Sequence, residues 1–327
     1  MGKTYLGIDI GHRNLKLSLV SDGKIKKTCR ADVPDNLVKE GRVVSYVSMA
    51  EFIKNTMKEN GIQAAPAAFV LNSEDAYIRN ISVPAMTHDQ LMVNIPYEFR
   101  DYISDELQAY AYDYAVLDTY ENEEGAVVMD LLAAAAPKEY LNDIKNMLKK
   151  AGMKFAVAAP SAAAYIGFLK SHGLKDPEKE YCFLDLGHEA IRMHVFKGER
   201  YIVTRALETG LSVVEQRIAD ELNVDIHLAH SYFISDYEGC QKSEACISAY
   251  QSIGTELERA VNFYRFSNPD SVLEHIYICG GGAAVEPLME EIANSLSIGV
   301  SGVSELFGGD RADDYLFVQS SGITYQE

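Results

Sequence analysis

The sequence predicts an α/β protein of two duplicated lobes, with a smaller α/β subdomain inserted into the first lobe. Three observations support this fold class. A hairpin pattern occurs once in each half of the chain, strand and helix patterns alternate between its two copies, and a run of glycines follows a late apolar strand. The length of 327 residues agrees with two lobes, because one hydrophobic core seldom serves a chain of that size.

The duplicated hairpin is the strongest internal signal. Residues 7–12 read GIDIGH and residues 183–188 read FLDLGH, and each copy continues into an alternating strand and a second glycine-containing turn. An apolar strand, a tight turn and an alternating strand are typical of a β-hairpin. Two such hairpins this far apart predict two related lobes, which we place at residues 1–175 and 176–327.

Apolar periodicity assigns the elements of the first lobe. In order they are a helix over 48–60, strands over 67–71 and 77–83, a helix capped by Thr87 that reaches about residue 99, strands over 110–117 and 127–135, a helix over 138–151, a strand over 155–158 and a helix over 161–172. Pro96 is expected to interrupt the helix that contains it. The run 77–158 has the order βαββαβ and is interpreted as the inserted subdomain.

Helical patterns dominate the second lobe after its hairpin. They cover residues 211–222, 226–232, 244–264 and 287–296, with a buried strand over 276–278 before the last of them. We therefore expect a helical subdomain over about 207–272.

Composition limits the classes of partner. Hydrophobic residues make up 47% of the chain and charged residues 24%, which are ordinary globular values and exclude disorder, collagen and coiled coil for the chain as a whole. The 48 acidic residues exceed the 30 basic ones, for a formal charge of −18. That field repels polyanions, so we expect no nucleic-acid partner.

The cellular compartment is predicted from cysteines and from apolar stretches. The five cysteines form no Cys-x-x-Cys pair, which favours buried thiols in a reducing compartment. Neither a signal peptide nor an apolar stretch near the ~20 residues of a membrane span is visible. We expect a cytoplasmic protein without direct membrane insertion, so that any association with a membrane must come through a partner.

Both hairpins place an aspartate two residues before a glycine at the end of a strand. These are Asp9 with Gly11, and Asp185 with Gly187. Such a turn lets backbone amides approach a phosphate while the carboxylate holds hydrated Mg²⁺. Two turns in the same register favour a nucleotide clamp, and the alternative is a pair of simple β-turns in duplicated lobes.

A third motif, ICGGGAA at residues 278–284, runs from a buried strand into glycines and a helix start. Gly280, Gly281 and Gly282 would let a base or ribose lie against bare backbone, and the helix N-terminus favours an anion. A tight strand-to-helix turn is the alternative.

In this order the motifs resemble those of the actin/Hsp70/sugar-kinase superfamily. The counterparts are a phosphate loop at 7–16, a connecting helix at 159–164, a second phosphate loop at 183–192 and an adenosine loop at 278–284. More narrowly, the chain resembles the PilM family of type IV pilus assembly, relatives of the cell-division protein FtsA. That resemblance is carried by ISVP at 81–84, YEF at 97–99, YDYAVL at 112–117, AGM at 151–153 and TG at 209–210.

The resemblance implies an actin-like ATPase (ribonuclease H-like) fold with ATP and Mg²⁺ bound between the lobes. Asp9 and Asp185 would lie at the metal, and no catalytic residue is assigned. The residues implied at the cofactor are Asp9, Gly11, His12, Asn14, Lys16, Asp185, Gly187, His188, Gly280, Gly281 and Gly282.

The resemblance also implies a partner. In the PilM family, the cytosolic tail of a PilN-like bitopic membrane protein binds a groove between the first lobe and its inserted subdomain. We place this groove at the tyrosine-rich segment, with Tyr97, Phe99 and Tyr102, and packing in the core or on a sheet face is the alternative for these aromatic residues. Pilus assembly ATPases and a second copy of the chain are further partners that the resemblance suggests.

Three departures from the superfamily pattern bear on activity. Histidines, His12 and His188, stand where a small hydroxyl residue usually follows the loop glycine, and Glu189 adds a negative charge. Ala159 stands where hydrolytic members orient the attacking water. We expect weak hydrolysis or none. An adaptor that binds no nucleotide, and an active ATPase or small-molecule kinase, are the alternatives.

Overall fold

The computed structural model describes residues 3–39, 41–104, 106–174, 176–207, 209–308 and 313–325. The chain divides into two compact units. Unit 1 consists of Met1–Gly173 with Gln319–Glu327, and unit 2 consists of Leu174–Val318. Each unit contains one copy of the duplicated hairpin.

Strands and helices are numbered in chain order. The strands are β1 (Thr4–Ile10), β2 (Asn14–Ser21), β3 (Lys24–Asp32), β4 (Val38–Lys39), β5 (Arg42–Val43), β6 (Ala67–Leu71), β7 (Tyr77–Pro84), β8 (Tyr110–Glu121), β9 (Val127–Pro137), β10 (Phe155–Pro160), β11 (Glu180–Leu186), β12 (Ile191–Lys197), β13 (Arg200–Leu207), β14 (His275–Cys279) and β15 (Gly299–Gly302). The α-helices are α1 (Tyr46–Glu59), α2 (His88–Glu98), α3 (Lys138–Lys150), α4 (Ser161–Ser171), α5 (Ser212–Leu222), α6 (Ile226–Ser235), α7 (Glu244–Ser267), α8 (Glu286–Ser295), α9 (Ser304–Phe307) and α10 (Val318–Gly322).

The main sheet of each unit has the same order. Unit 1 has β10-β6-β1-β2-β3 and unit 2 has β15-β14-β11-β12-β13, with the antiparallel hairpin on one side and parallel strands on the other. The duplicated hairpin is therefore confirmed as an antiparallel pair at the same place in both sheets. In unit 1, the apolar faces of α1 and α3 pack together in the core under the sheet. In unit 2, α5, α6, α7 and α8 cover the sheet and form one apolar core.

The inserted subdomain is smaller than predicted. It consists of the sheet β7-β9-β8 and helix α2, with its own core that includes Ile81, Ile95 and Leu131. Thr87 caps α2 through a reciprocal capping box with Gln90, and the helix continues past Pro96 to Glu98. The expected interruption at Pro96 is therefore absent from the described helix.

Helix α3 and strand β10 belong to the main core of unit 1, so the predicted subdomain boundary at residue 158 is too late. Ile144 and Met147 of α3 are buried in the same core as Met49 and Ile53 of α1. Strand β10 pairs in parallel with β6 of the main sheet. A strand that completes a buried sheet cannot belong to a separate core, and the insertion ends near Pro137.

The predicted second lobe, 176–327, also needs a correction at its end. Gln319–Glu327 belongs to unit 1, where the Oγ atoms of Ser18 and Ser320 lie 2.7 Å apart. A Cβ atom at Gly7 would overlap the carbonyl oxygen of Ser320, and one at Gly322 would overlap that of Ala164. The glycines permit backbone contact at both places.

Four of the cysteines, Cys29, Cys182, Cys246 and Cys279, are buried free thiols and Cys240 is half-buried. Within the described residues no helix combines the length and the apolar character that a membrane crossing requires.

Candidate functional site

The first hairpin turn places an ion pair at the predicted phosphate loop. Asp9 on β1 faces Lys16 on β2 in the strand register, and Lys16 Nζ lies 3.1 Å from Asp9 Oδ2. Asp9 is only 5% exposed, so its carboxylate lies at a buried strand end and not on the open surface. The amide of Gly11 donates to the carbonyl of Asn14 at 2.9 Å and closes the turn around the half-buried His12. The sequence-predicted residues of this loop are thus together.

The second hairpin turn repeats this arrangement in unit 2. Asp185 on β11 faces Arg192 on β12, which is the same acid–base register as in unit 1. Gly280 follows β14 with φ +85°, and a Cβ atom there would overlap Asp185 Oδ1. The predicted adenosine loop and the second phosphate loop of unit 2 are therefore in direct contact through Asp185 and Gly280.

The three glycines after β14 have different roles. Gly280 and Gly282 are required by the packing of the unit itself, since a Cβ atom at Gly282 would lie 2.7 Å from Leu186 Cβ. Gly281 is exposed and has open space where its Cβ would be. Gly281 alone among these three presents bare backbone to open space, as a bound base or ribose requires.

A buried carboxylate holds the histidine of the second loop. Glu215 on α5 is 1% exposed and has its Oε2 3.0 Å from His188 Nε2 and its Oε1 2.7 Å from His230 Nδ1. The other ring nitrogen of His188, Nδ1, lies 2.9 Å from Glu189 Oε1. Both ring nitrogens of His188 therefore have a carboxylate partner inside unit 2.

The environment of Glu215 favours its charged form. Burial opposes ionisation, but the hydrogen bonds from His188 and His230 outweigh it and lower the pKa of the Glu215 carboxyl to about 2. The sequence analysis missed both Glu215 and the role of His230. The signal for Glu215 was its place on the buried face of α5, beside Val214 and Ile218, where a lone acid needs a partner.

A groove separates the inserted subdomain from the main sheet of unit 1. It encloses a cavity of about 370 Å³ lined mostly by small apolar side chains. The lining residues are Leu71, Ala76, Ala111, Tyr112, Asp113, Ala134, Ala135, Ala136, Leu141, Phe155, Ala156, Val157, Ala158 and Pro160. Strand β10 is the edge of the main sheet and β8 is an edge of the subdomain sheet, so each wall includes a strand that pairs on one side only in the described sheets.

The predicted partner residues lie elsewhere. Phe99 is fully buried in the subdomain core and packs against Tyr112 at 5.7 Å between ring centroids, so its assignment to a partner surface is wrong. Tyr97 and Tyr102 are about half exposed, at 56% and 52%, and are not among the residues that line the groove. Aromatic residues occur in cores and at interfaces alike, so the sequence did not separate the buried Phe99 from the exposed Tyr97 and Tyr102.

The sequence profile of a family described as "Type IV pilus assembly protein PilM" matches residues 7–311. The chain belongs to this PilM family. No curated protein matches the chain in sequence. The structure described as "PilM-PilN type IV pilus biogenesis complex" has a TM-score of 0.83 at 21% identity and covers 98% of this chain and 97% of its own.

Two further structures show that this PilM-family chain has the actin-like ATPase fold, as the sequence predicted. The ethanolamine utilization protein EutJ from Carboxydothermus hydrogenoformans has a TM-score of 0.63 at 13% identity, covering 99% of this chain and 89% of that one. MreB5 of Spiroplasma citri, bound to ADP, has a TM-score of 0.54 at 11% identity, covering 98% and 94%. At these identities the likeness concerns the fold.

Proposed function

We propose that this PilM-family protein is a cytoplasmic scaffold of type IV pilus or related secretion or competence machinery. In this proposal, the groove of unit 1 docks the cytosolic tail of a PilN-like membrane protein. The same protein binds MgATP through its two hairpin turns and the adenosine loop, with weak or no hydrolysis. The groove in a chain of the PilM family is the observation on which the proposal chiefly rests.

The groove fits an extended peptide. Open edges at β8 and β10 offer backbone donors and acceptors to an added strand, and the alanines beside them leave room for its side chains. The related structure that is described as a PilM–PilN complex supports the class of partner. Attachment through that partner would bring the protein to the inner face of the membrane.

Filling the groove is expected to block tail binding. Ala111 lines the cavity from β8, and Ala111→Trp should weaken binding of a synthetic peptide with the N-terminal cytosolic residues of the organism's own PilN-like protein by about tenfold or more. Isothermal titration calorimetry measures the affinity. Tyr97→Ala is the matched control, because Tyr97 is exposed on the same subdomain but outside the groove. If Tyr97→Ala weakens binding of the peptide and Ala111→Trp does not, the docking site lies at the α2 segment and not in the groove.

Nucleotide binding is supported by the loops themselves. Asp9 and Asp185 would face the Mg²⁺ of MgATP, and Gly281 would lie under the base or ribose. In the fold family, MreB5 is described with bound ADP. Bound only to the native state at 100 times its Kd, MgATP adds about 2.7 kcal/mol of stability, so a thermal shift reports it.

Gly281→Val is expected to abolish the thermal shift produced by MgATP while it leaves the unfolding temperature of the free protein unchanged. The added side chain enters open space, so the fold tolerates it and only the ligand is excluded. Gly302→Val is the control, since Gly302 also has open space at its Cβ position. Asp185→Ala should abolish the shift as well, by removing a carboxylate that would hold Mg²⁺. A full shift in Gly281→Val would make this loop purely structural.

The half-buried Ala159 supports slow hydrolysis, because a methyl group cannot orient water at that position. Nucleotide released by denaturing the freshly purified protein, and identified by chromatography, tests this. Intact ATP agrees with a nucleotide-stabilised scaffold, and ADP favours an active ATPase.

A pure adaptor is the second candidate. The contacts of both His188 ring nitrogens with Glu189 and Glu215 favour it, because these contacts occupy the ring nitrogens that a phosphate would otherwise contact. If the wild-type protein releases no nucleotide on denaturation and MgATP causes no thermal shift, the protein is an adaptor that binds no nucleotide.

A further inference from the structure

The charge of the chain is unevenly distributed along its sequence. Residues 144–173 contain five lysines and no aspartate or glutamate, although the whole chain has 48 acidic residues against 30 basic ones. This segment includes the last part of α3, strand β10 and helix α4. In a chain of formal charge −18, a basic segment of this length is a local exception that can attract an anionic partner.

Three strands of unit 1 start at one edge of its main sheet. Strands β1, β6 and β10 are parallel, so their first residues lie side by side. The amide of Ala67, at the start of β6, donates to the carbonyl of Lys154 at 2.8 Å. The turn between β2 and β3 lies at the same edge, since Thr4 of β1 faces Ser21 of β2. The hairpin turn that follows Asp9 is at the opposite end of β1.

Helices of unit 1 also end at this edge, and their last turns carry lysines. These are Lys58 in α1, Lys149 and Lys150 in α3, and Lys170 in α4. Just after α1, the carbonyl oxygen of Gly61 lies 3.4 Å from Lys27 Nζ of β3. Lys3, Lys24 and Ser171 line one cavity of about 540 Å³, so the end of α4 adjoins the β2–β3 turn. One lysine in a last turn is explained by the helix dipole, but that dipole does not explain the lysines of the strands and turns.

Together these residues form a basic surface, which we name the lysine edge. Its members, all exposed, are Lys3, Lys24, Lys26, Lys27, Lys58, Lys149, Lys150 and Lys154. None of them forms an ion pair with another residue in the part of the chain that the structure describes. Asp22 and Glu59 are the acids in the same segments. The lysine edge therefore has an excess of positive charge in an otherwise acidic protein.

The chemistry of the lysine edge fits a surface of anionic lipid headgroups. Protein interfaces are enriched in arginine and aromatic residues and depleted in lysine, whereas every cation of this edge is a lysine. The large apolar residues of these segments are buried or half-buried, so the edge lacks the apolar centre around which protein interfaces form. Lysine is a flexible, hydrated point charge, which suits headgroups that have no fixed arrangement.

We propose that the lysine edge of unit 1 binds the surface of membranes that contain anionic lipids, by adsorption and without insertion. The negative potential of such a surface attracts lysines that come close to it. The negative charge of the rest of the chain does not prevent this contact, because exposed charges are largely screened beyond about 8 Å at physiological ionic strength. The sequence analysis expects membrane association through a partner only, and the lysine edge adds a direct contact.

The lysine edge adjoins the groove that we propose for the tail. Phe155, which directly follows Lys154, lines that groove. A tail docked there would hold the lysine edge close to the bilayer from which the tail emerges, and would so raise the local concentration of headgroups. The lipid contact itself requires neither the tail nor a nucleotide, so the protein alone is sufficient to test it.

Cosedimentation with lipid vesicles tests the proposal on the whole chain. The wild type should bind phosphatidylcholine vesicles that contain phosphatidylglycerol about tenfold or more tightly than vesicles of phosphatidylcholine alone, and added salt should weaken this binding. Lys24→Glu/Lys154→Glu should weaken binding to the anionic vesicles by about tenfold or more, because two attractive charges become repulsive. Both positions are exposed and lie outside the helices, and unchanged thermal unfolding shows that the variant is folded.

Lys39→Glu/Lys242→Glu is the matched control, with the same change in net charge. Both lysines are exposed; Lys39 lies beyond the other end of β3, and Lys242 lies in unit 2. This variant should bind the anionic vesicles as the wild type does. Equal losses in the two double variants would show an effect of net charge alone and overturn the proposal.

Two other results would also overturn the proposal. One is equal binding of the wild type to both kinds of vesicle, and the other is undiminished binding of Lys24→Glu/Lys154→Glu to the anionic vesicles. A fluorescent DNA duplex tests a different polyanion, and binding to this duplex without binding to the vesicles would assign the lysine edge to nucleic acid instead. All of these measurements omit the tail and the nucleotide, so their outcome is separate from that of the proposed function.

Discussion

Gly7→Ala is expected to lower the free energy of unfolding of unit 1 by about 3 kcal/mol or more, because the core has no room for the added methyl group. A Cβ atom at Gly7 would overlap the backbone carbonyl of Ser320 and approach Thr324 Cγ2 to 2.9 Å. Backbone atoms on both sides must then move, because rotation of a side chain cannot relieve an overlap between a Cβ atom and a carbonyl oxygen. Differential scanning calorimetry measures the effect as a lower temperature of the unit 1 transition.

Gly302→Ala is the control for that change, since its Cβ position has open space and its substitution should move the transition little. Limited proteolysis gives a second measurement. If Gly7→Ala displaces the C-terminal segment, cleavage between Val318 and Tyr325 should become faster in that variant. An unchanged transition together with unchanged proteolysis would contradict the backbone contact between β1 and this segment.

The C-terminal contact shows where reasoning from sequence fails. The two hairpins were predictable because each is local, with apolar alternation and a turn within about fifteen residues. The Ser18–Ser320 contact joins positions 302 residues apart, and no local pattern records it. Gly7 lies inside a strand pattern, which indicates close backbone approach, but its neighbour could not be named from the sequence.

The predicted boundary of the inserted subdomain was wrong for a related reason. The pattern of α3 correctly predicts an amphipathic helix, yet periodicity does not tell which core the apolar face joins. The contact of α3 with α1 decides it. Aromatic residues gave the same ambiguity, since Phe99 and Tyr97 are two positions apart and lie in opposite environments, one fully buried and one 56% exposed.

The candidate site was predictable to the extent that it follows the backbone. The strand register of the first hairpin brings Asp9 and Lys16 opposite each other beside Gly11 of the turn. The second hairpin repeats this arrangement with Asp185, Arg192 and Gly187. Glu215 was not predictable, since its partners come from the β11–β12 turn and from α6. Side-chain networks between separate elements depend on packing that a sequence pattern does not encode.

Glu215→Gln is expected to destabilise unit 2 by about 3 kcal/mol at pH 7, and the loss should depend on pH. Folding lowers the pKa of Glu215 from its ordinary value of 4.5 to about 2, because hydrogen bonds with His188 and His230 outweigh the effect of burial. The stabilisation is fully present above pH 4.5 and is lost as pH falls through 2, because the carboxylate is then protonated in the folded state too. The gap between the two values corresponds to about 3 kcal/mol.

Urea unfolding of the wild type and of Glu215→Gln between pH 7 and pH 3 measures the difference in the free energy of unfolding. That difference should narrow as pH falls, because the wild type loses the stabilisation by the charged Glu215 carboxylate, which the Gln variant lacks at every pH. Glu258→Gln, at an exposed position of α7, is the control and should track the wild type at every pH. A difference that stays constant down to pH 3 would mean that Glu215 acts through packing alone. A narrowing difference would show that the charge of Glu215 holds the β11–β12 turn against α5 and α6, so that unit 2 itself sets the conformation of His188.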